Sequence, residues 1–132
     1  MGAPHALVLE EQMKINKCLK WVHSISAGID GIICCKSFQD SPIPLTNARG
    51  AYGDVLGEFI ALGVLYHTKN MERFAQRKAE KKWEVERVET VFGKHMLIVG
   101  YGDIGSCVAK IAKHGFGMRV TGIKRKPETS TD

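Results

Sequence analysis

Apolar and polar residues alternate from Leu19 through Lys20, Trp21, Val22, His23 and Ser24 to Ile25. That spacing predicts a strand running into a turn at Ser26-Ala27-Gly28-Ile29-Asp30-Gly31. Ile32–Cys35 is a short apolar piece. Ser41-Pro42-Ile43-Pro44-Leu45-Thr46-Asn47 reads as a turn followed by a brief extended segment, because each proline biases its predecessor away from helix. From Tyr52 to His67 the apolar residues Val55, Leu56, Phe59, Ile60, Leu62, Val64, Leu65 and Tyr66 cover nearly the whole circumference of a helix. Such a helix is expected to be buried on most sides, with Asp54 as cap or first-turn acid. Thr68 or Asn70 is expected to cap a second helix that runs through Lys82 and is closed by Trp83. Met71, Phe74, Ala75 and Lys78 would share one of its faces, with Glu72, Arg73, Gln76, Arg77 and Glu80 turned outward.

The chain divides near residues 88–94, and the pattern then changes. His95-Met96-Leu97-Ile98-Val99 is an apolar run bounded by glycines, as a buried parallel strand should be. Gly100-Tyr101-Gly102-Asp103-Ile104-Gly105 follows at once, and Ile104, Val108, Ile111 and Ala112 recur at helical spacing until Gly115 stops the helix. Met118-Arg119-Val120-Thr121-Gly122-Ile123 is a second strand, so the order is β, glycine turn, α, β. G-x-G-x-x-G alone is a weak signal, but here it stands between a strand and a helix, where it binds dinucleotides. Gly100 permits the sharp turn, Gly102 lets backbone approach a pyrophosphate, and Gly105 lets helix pack on strand. The helix N-terminus supplies amides and a favourable dipole for phosphate. In such units an acidic residue at the end of the second strand accepts hydrogen bonds from ribose hydroxyls, whereas basic residues receive a 2′-phosphate. Here the strand ends on Lys124, Arg125 and Lys126. That predicts a preference for NADP(H) over NAD(H), with NAD(H) still possible. The bland alternative is a basic strand end in solvent.

Composition narrows the class. The chain has 132 residues, 44% hydrophobic and 25% charged, the size of one small domain and outside the regime of disorder. A complete two-domain enzyme is not expected at this length. The net charge of +5 arises after residue 68. Lys69, Arg73, Arg77, Lys78, Lys81 and Lys82 could be read as a nucleic-acid stripe, but acids interleave and aromatics are sparse, so no nucleic-acid partner is expected. Cys18, Cys34, Cys35 and Cys107 form no C-x-x-C pair, which suggests neither a zinc site nor a disulfide framework. Cys34 and Cys35 read as small buried apolar residues, in a reducing compartment. The run Val55–Tyr66 is too short to span a membrane and contains Glu58. The N-terminus lacks the basic start of a secretory signal, and Ala6 stands where a myristoylation site needs Ser or Thr. A cytoplasmic protein is expected, with an organelle left open.

Residues 93–105, Val108-Ala109-Lys110 and Gly115-Phe116-Gly117-Met118-Arg119-Val120 resemble the cofactor signature of the D-isomer-specific 2-hydroxyacid dehydrogenases. Lys20–Asp30 is similar to that family's substrate-carboxylate loop with its preceding strand. Leu45–Gly50 with Gly57-Glu58-Phe59 resembles the lead into its interdomain helix, so the likeness covers about residues 19–127. The resemblance implies an α/β fold: a partial Rossmann-type parallel sheet preceded by part of a flavodoxin-like substrate domain and a crossover helix. It divides the chain into 1–50 (substrate domain), 51–92 (crossover helices) and 93–132 (dinucleotide-binding domain). It implies that Ala27 and Gly28 offer backbone amides to the carboxylate of a small 2-oxo or 2-hydroxy acid, against the alternative of an ordinary surface turn. The cofactor would lie on Gly100, Tyr101, Gly102, Asp103, Ile104, Gly105, Lys124 and Arg125, and the crossover helices would form a homodimer. The family's catalytic Arg, Glu and His lie beyond the second strand, so Arg49 and His114 are not their counterparts. The expectation is therefore an internal fragment, marginally stable and not catalytically competent alone. The competing reading is a non-catalytic dinucleotide-binding or dimerisation module.

Overall fold

The computed structural model describes residues 4–126, which belong to two compact units, 1–51 and 52–132. The first unit contains α1 (Pro4–Ile15), β1 (Val22–Ser24), α2 (Asp30–Ile33), α3 (Lys36–Gln39) and β2 (Leu45–Asn47). The expected strand over 19–25 is thus shortened to its centre. β1 and β2 pair in parallel, Val22 beside Leu45 and Ser24 beside Asn47. The amide of Val22 extends the ladder backward to the Pro44 carbonyl at 3.0 Å.

Helix α1 was not foreseen, because its sequence has no clear apolar stripe. It is tied down by polar contacts instead: Glu10 accepts hydrogen bonds from the Cys35 thiol at 2.9 Å and from the Ser37 hydroxyl. These bonds, that from Cys35 first, hold the Glu10 carboxyl below its usual range. Burial and the same Glu10 contact push the Cys35 thiol up. Only half of the expectation for the cysteine pair holds, since Cys35 is buried and Cys34 is exposed. At mild alkaline pH an alkylating reagent should therefore label Cys18 and Cys34 well before Cys35, because the thiolate is the nucleophile. Peptide mass mapping after short exposure to iodoacetamide checks this.

The second unit contains α4 (Gly53–Thr68), α5 (Met71–Ala79), β3 (His95–Val99), α6 (Asp103–Lys110) and β4 (Arg119–Ile123). One π-helical turn, Ile111–Gly115, prolongs α6. β3 and β4 are parallel from His95 beside Arg119 to Val99 beside Ile123, so the predicted β-α-β order is present. The break between units falls at 51/52, and α4 packs along α6. Val91, Ala112 and Met118 form a buried cluster, with Val64, Leu65, Met96, Phe116 and Val120 packed around it.

Helix α4 differs from expectation in its burial. It approaches α6 through its small residues: a Cβ at Gly53 would lie 2.6 Å from Cys107 Sγ, and one at Gly57 2.9 Å from Ile111 Cδ1. Its larger apolar residues Val55, Phe59, Leu62 and Tyr66, spaced along one stripe, are exposed. The expected capping residues also act differently. Thr68 donates back to the Val64 carbonyl at 2.8 Å, and Asn70 takes a left-handed conformation with φ 52° without a side-chain cap. α5 ends at Ala79 rather than Lys82, and Trp83 does not close it, being 98% exposed. Arg77 was expected to point outward, yet its side chain is only 12% exposed, because Glu84 and Glu86 hold it at 3.0 and 2.9 Å. Arg73 pairs with Glu86 at 3.1 Å and Lys82 with Glu80 at 2.8 Å, so much of the basic charge on α5 is locally neutralised. No described helix is long and apolar enough to cross a membrane.

Candidate functional site

The turn after β3 is set by its glycines. Gly100 has φ +100°, a conformation that side chains rarely adopt, and it reverses the chain directly after Val99. The amides of Gly100 and Tyr101 both donate to the Ile123 carbonyl, at 3.0 and 2.9 Å. This shared acceptor ties the turn to the last residue of β4 and brings Lys124 and Arg125 directly after it. Gly105 lies where helix meets strand: a Cβ there would stand 2.5 Å from the Gly100 carbonyl oxygen and 3.2 Å from Ile98 Cγ2. Gly102, by contrast, would place a Cβ in open space.

The first intrahelical bond of α6 runs from the Ser106 amide to the Gly102 carbonyl at 2.9 Å. The amides of Asp103, Ile104 and Gly105 therefore precede the ladder, and among the described residues they have no acceptor. Three convergent N–H groups at the positive end of a helix, beside open space over Gly102, fit a pyrophosphate. Asp103 and Ile104 would contribute through backbone rather than side chain. Ser106 steadies the first turn by donating to the Asp103 carbonyl at 2.8 Å. Lys124 is half-buried and Arg125 exposed.

Tyr101 brings in a residue that sequence reasoning passed over. Its ring lies over Gly122, where an added Cβ would come within 2.2 Å of Tyr101 Cδ2. The signal was present as a glycine inside a strand, which commonly marks a close approach. The outer face of the sheet leaves Leu97, Val99 and Ile123 exposed.

The second candidate region is the loop after β1. Ala27 and Gly28 are exposed, and among the described residues no hydrogen bond uses their amide N–H groups. The buried Ser24 hydroxyl accepts the Ser26 amide at 3.2 Å, and the Ser26 carbonyl accepts the Ala48 amide at 3.3 Å. Asn47 Nδ2 donates to the Ala27 carbonyl at 2.7 Å. Two neighbouring free donors on one loop form a sensible carboxylate site. Two hollows of about 570 and 680 Å³ lie elsewhere, lined by α5 and residues 80–86 and, in the first, also by Tyr66 and His67. Arg73, Arg77 and Lys82 on those walls are paired with Glu86, Glu84 and Glu80, whereas the amides of Asp103, Ile104 and Gly105 have no acceptor among the described residues, so the chemistry favours the turn.

The family profile described as D-isomer specific 2-hydroxyacid dehydrogenase, NAD binding domain, matches residues 61–132. A hydroxypyruvate reductase from Thermotoga maritima is 29% identical over 126 residues, covering 92% of this chain and 40% of that protein. A solved D-isomer specific 2-hydroxyacid dehydrogenase family protein from Aeromonas salmonicida superposes with a TM-score of 0.75 at 26% identity, over 91% of this chain and 38% of that one. A glycerate dehydrogenase related protein from Thermoplasma acidophilum gives a TM-score of 0.65 at 31% identity, over 86% and 38%. The chain thus spans about 40% of the length of the relative from Thermotoga.

Proposed function

Because this chain belongs to the D-isomer specific 2-hydroxyacid dehydrogenase family and carries sequence of its NAD-binding domain, we propose that it binds a nicotinamide dinucleotide, with NADP(H) preferred, for reduction of a small 2-oxo acid. The observation that carries this is the ledge over Gly102, faced by the unpaired amides of Asp103, Ile104 and Gly105. When bound, the cofactor supplies the hydride. The chain's own groups hold its phosphates, and Lys124 and Arg125 favour the form with the additional phosphate. Ala27 and Gly28 take the carboxylate of a glyoxylate- or hydroxypyruvate-like acid. The hydroxypyruvate reductase from Thermotoga maritima supports that substrate class through its overall likeness. Titration of the chain with NADPH and NADH, followed by nicotinamide fluorescence, tests the cofactor reading. Saturable binding supports it, and no binding of either at millimolar concentration overturns it.

A homodimer through the crossover helix is part of the same proposal. Val55, Phe59, Leu62 and Tyr66 on α4 are 64%, 70%, 60% and 48% exposed while the opposite side packs closely on α6. A continuous apolar stripe of that kind is a common basis for subunit contact. Phe59→Glu is expected to weaken self-association at least tenfold without altering helix content, by sedimentation and circular dichroism. An unchanged sedimentation profile would exclude α4 as the interface.

A further inference from the structure

We infer that Asn47 is a positioning residue for the carboxylate-binding loop, aiming the Gly28 N–H at the substrate by holding the carbonyl of the same peptide group. The inference rests on the proposed role of Ala27 and Gly28 and adds the device that orients them. A trans peptide is planar, with its C=O and N–H pointing in opposite directions. Fixing the carbonyl therefore fixes the aim of the following amide. In the loop after β1 this happens twice in succession. The Ser26 carbonyl is bound by the Ala48 amide at 3.3 Å, which turns the Ala27 N–H to the other side. The Ala27 carbonyl is bound by Asn47 Nδ2 at 2.7 Å, which turns the Gly28 N–H likewise. Both holding groups come from the end of β2, whose parallel register places Asn47 beside Ser24 at the end of β1.

The side chain of Asn47 is oriented by its own surroundings. Its Oδ1 faces the Arg49 amide at 3.4 Å. A flipped amide would set donor against donor at Arg49 and acceptor against acceptor at Ala27. Residue type matters for the same reason: aspartate would offer no donor, and leucine of similar shape would offer nothing polar. The first of the two peptide groups is held by the backbone N–H of residue 48 and so tolerates any residue there except proline. The second depends on one side chain, which makes it the group that substitution at 47 can release.

The test is oxalate titration of the isotope-labelled chain by NMR, comparing wild type with Asn47→Leu, a substitution that removes the donor without adding charge. In the wild type, the Ala27 and Gly28 amides are expected to shift together and saturate. In Asn47→Leu the affinity should fall about tenfold, the usual scale for one hydrogen bond to a charged group. At saturation the Gly28 shift should drop to less than about half while that of Ala27 is retained, since only the Gly28 peptide is released. A merely structural role would move both amides alike. If the wild type shows no shift at either amide, the carboxylate reading fails and the role of Asn47 with it. If the wild type responds and Asn47→Leu matches it in affinity and shift, only the role of Asn47 is overturned. Should the variant lose its β1 and β2 resonances, wild-type side-chain exchange decides: one slowly exchanging Asn47 amide proton supports the inference, and exchange at the free-amide rate overturns it.

Discussion

Gly105→Ala should destabilise the second unit by about 2–3 kcal/mol, at the upper end of what overpacking costs, and should abolish dinucleotide binding. The added methyl would meet the Gly100 carbonyl oxygen at 2.5 Å, and that oxygen is backbone, unable to rotate away like a side-chain end. Relief requires α6 to lift from β3 or the turn at Gly100 to open. Either movement strains the bonds from Gly100 and Tyr101 to the Ile123 carbonyl and redirects the three amides at the start of α6. Gly102→Val is the informative contrast. Gly102 has φ −105°, accessible to any residue, and its Cβ would meet nothing within 4 Å. It should therefore leave stability within about 0.5 kcal/mol, as for surface substitutions generally. Its branched side chain would occupy the approach path of the pyrophosphate, so affinity for NADPH should fall at least tenfold. Urea unfolding followed by circular dichroism, together with cofactor titration, separates the two. Unchanged NADPH affinity in Gly102→Val would mean that the open space over Gly102 is not a ligand path.

The contrast between these two glycines also shows what could be read from residues in order along the chain. β3 was legible to its boundaries from an apolar run between glycines, and the order of strand, turn, helix and strand followed from it, but the burial expected of it is not found: Leu97 and Val99 are exposed. The geometry of the candidate site on that unit was legible for the same reason: the donors proposed to hold phosphate are backbone groups whose placement depends on local glycines. What failed depended on partners distant in sequence. α1 is fastened through Glu10 to Cys35 and Ser37, and no periodicity within α1 announces that contact. Arg77 is drawn inward by two glutamates that follow in an extended segment, so a helical-face argument placed it in solvent. The apolar circumference of α4 was read correctly as composition, yet one side meets α6 through glycines and the large residues remain exposed. In the sequence Asn47 is the last residue of a brief extended segment, with nothing to single out its side chain. Its bond to Ala27 crosses 20 residues and depends on strand register, which hydrophobic pattern alone did not specify.

Replacing the basic strand end should reverse the choice of cofactor. Lys124→Asp combined with Arg125→Ala is expected to lower NADPH affinity about 100-fold, taking roughly 1.5 kcal/mol for each of two charge-assisted hydrogen bonds. NADH affinity should hold or improve, because the new carboxylate can accept hydrogen bonds from the ribose hydroxyls. The position makes the effect direct: the Ile123 carbonyl that anchors the glycine turn is followed immediately by these two residues. The bonds to that carbonyl come from the backbone amides of Gly100 and Tyr101, so the double substitution should leave them in place and cost less stability than Gly105→Ala. Salt supplies an independent readout, since exposed charge pairs are screened over about 8 Å at physiological ionic strength. The wild-type preference for NADPH should shrink as salt rises, and the variant should show no such dependence. Fluorescence titrations with both cofactors at two salt concentrations check this. A wild type that binds NADH as tightly as NADPH would show that Lys124 and Arg125 form only a solvated strand end, while leaving the pyrophosphate ledge over Gly102 intact.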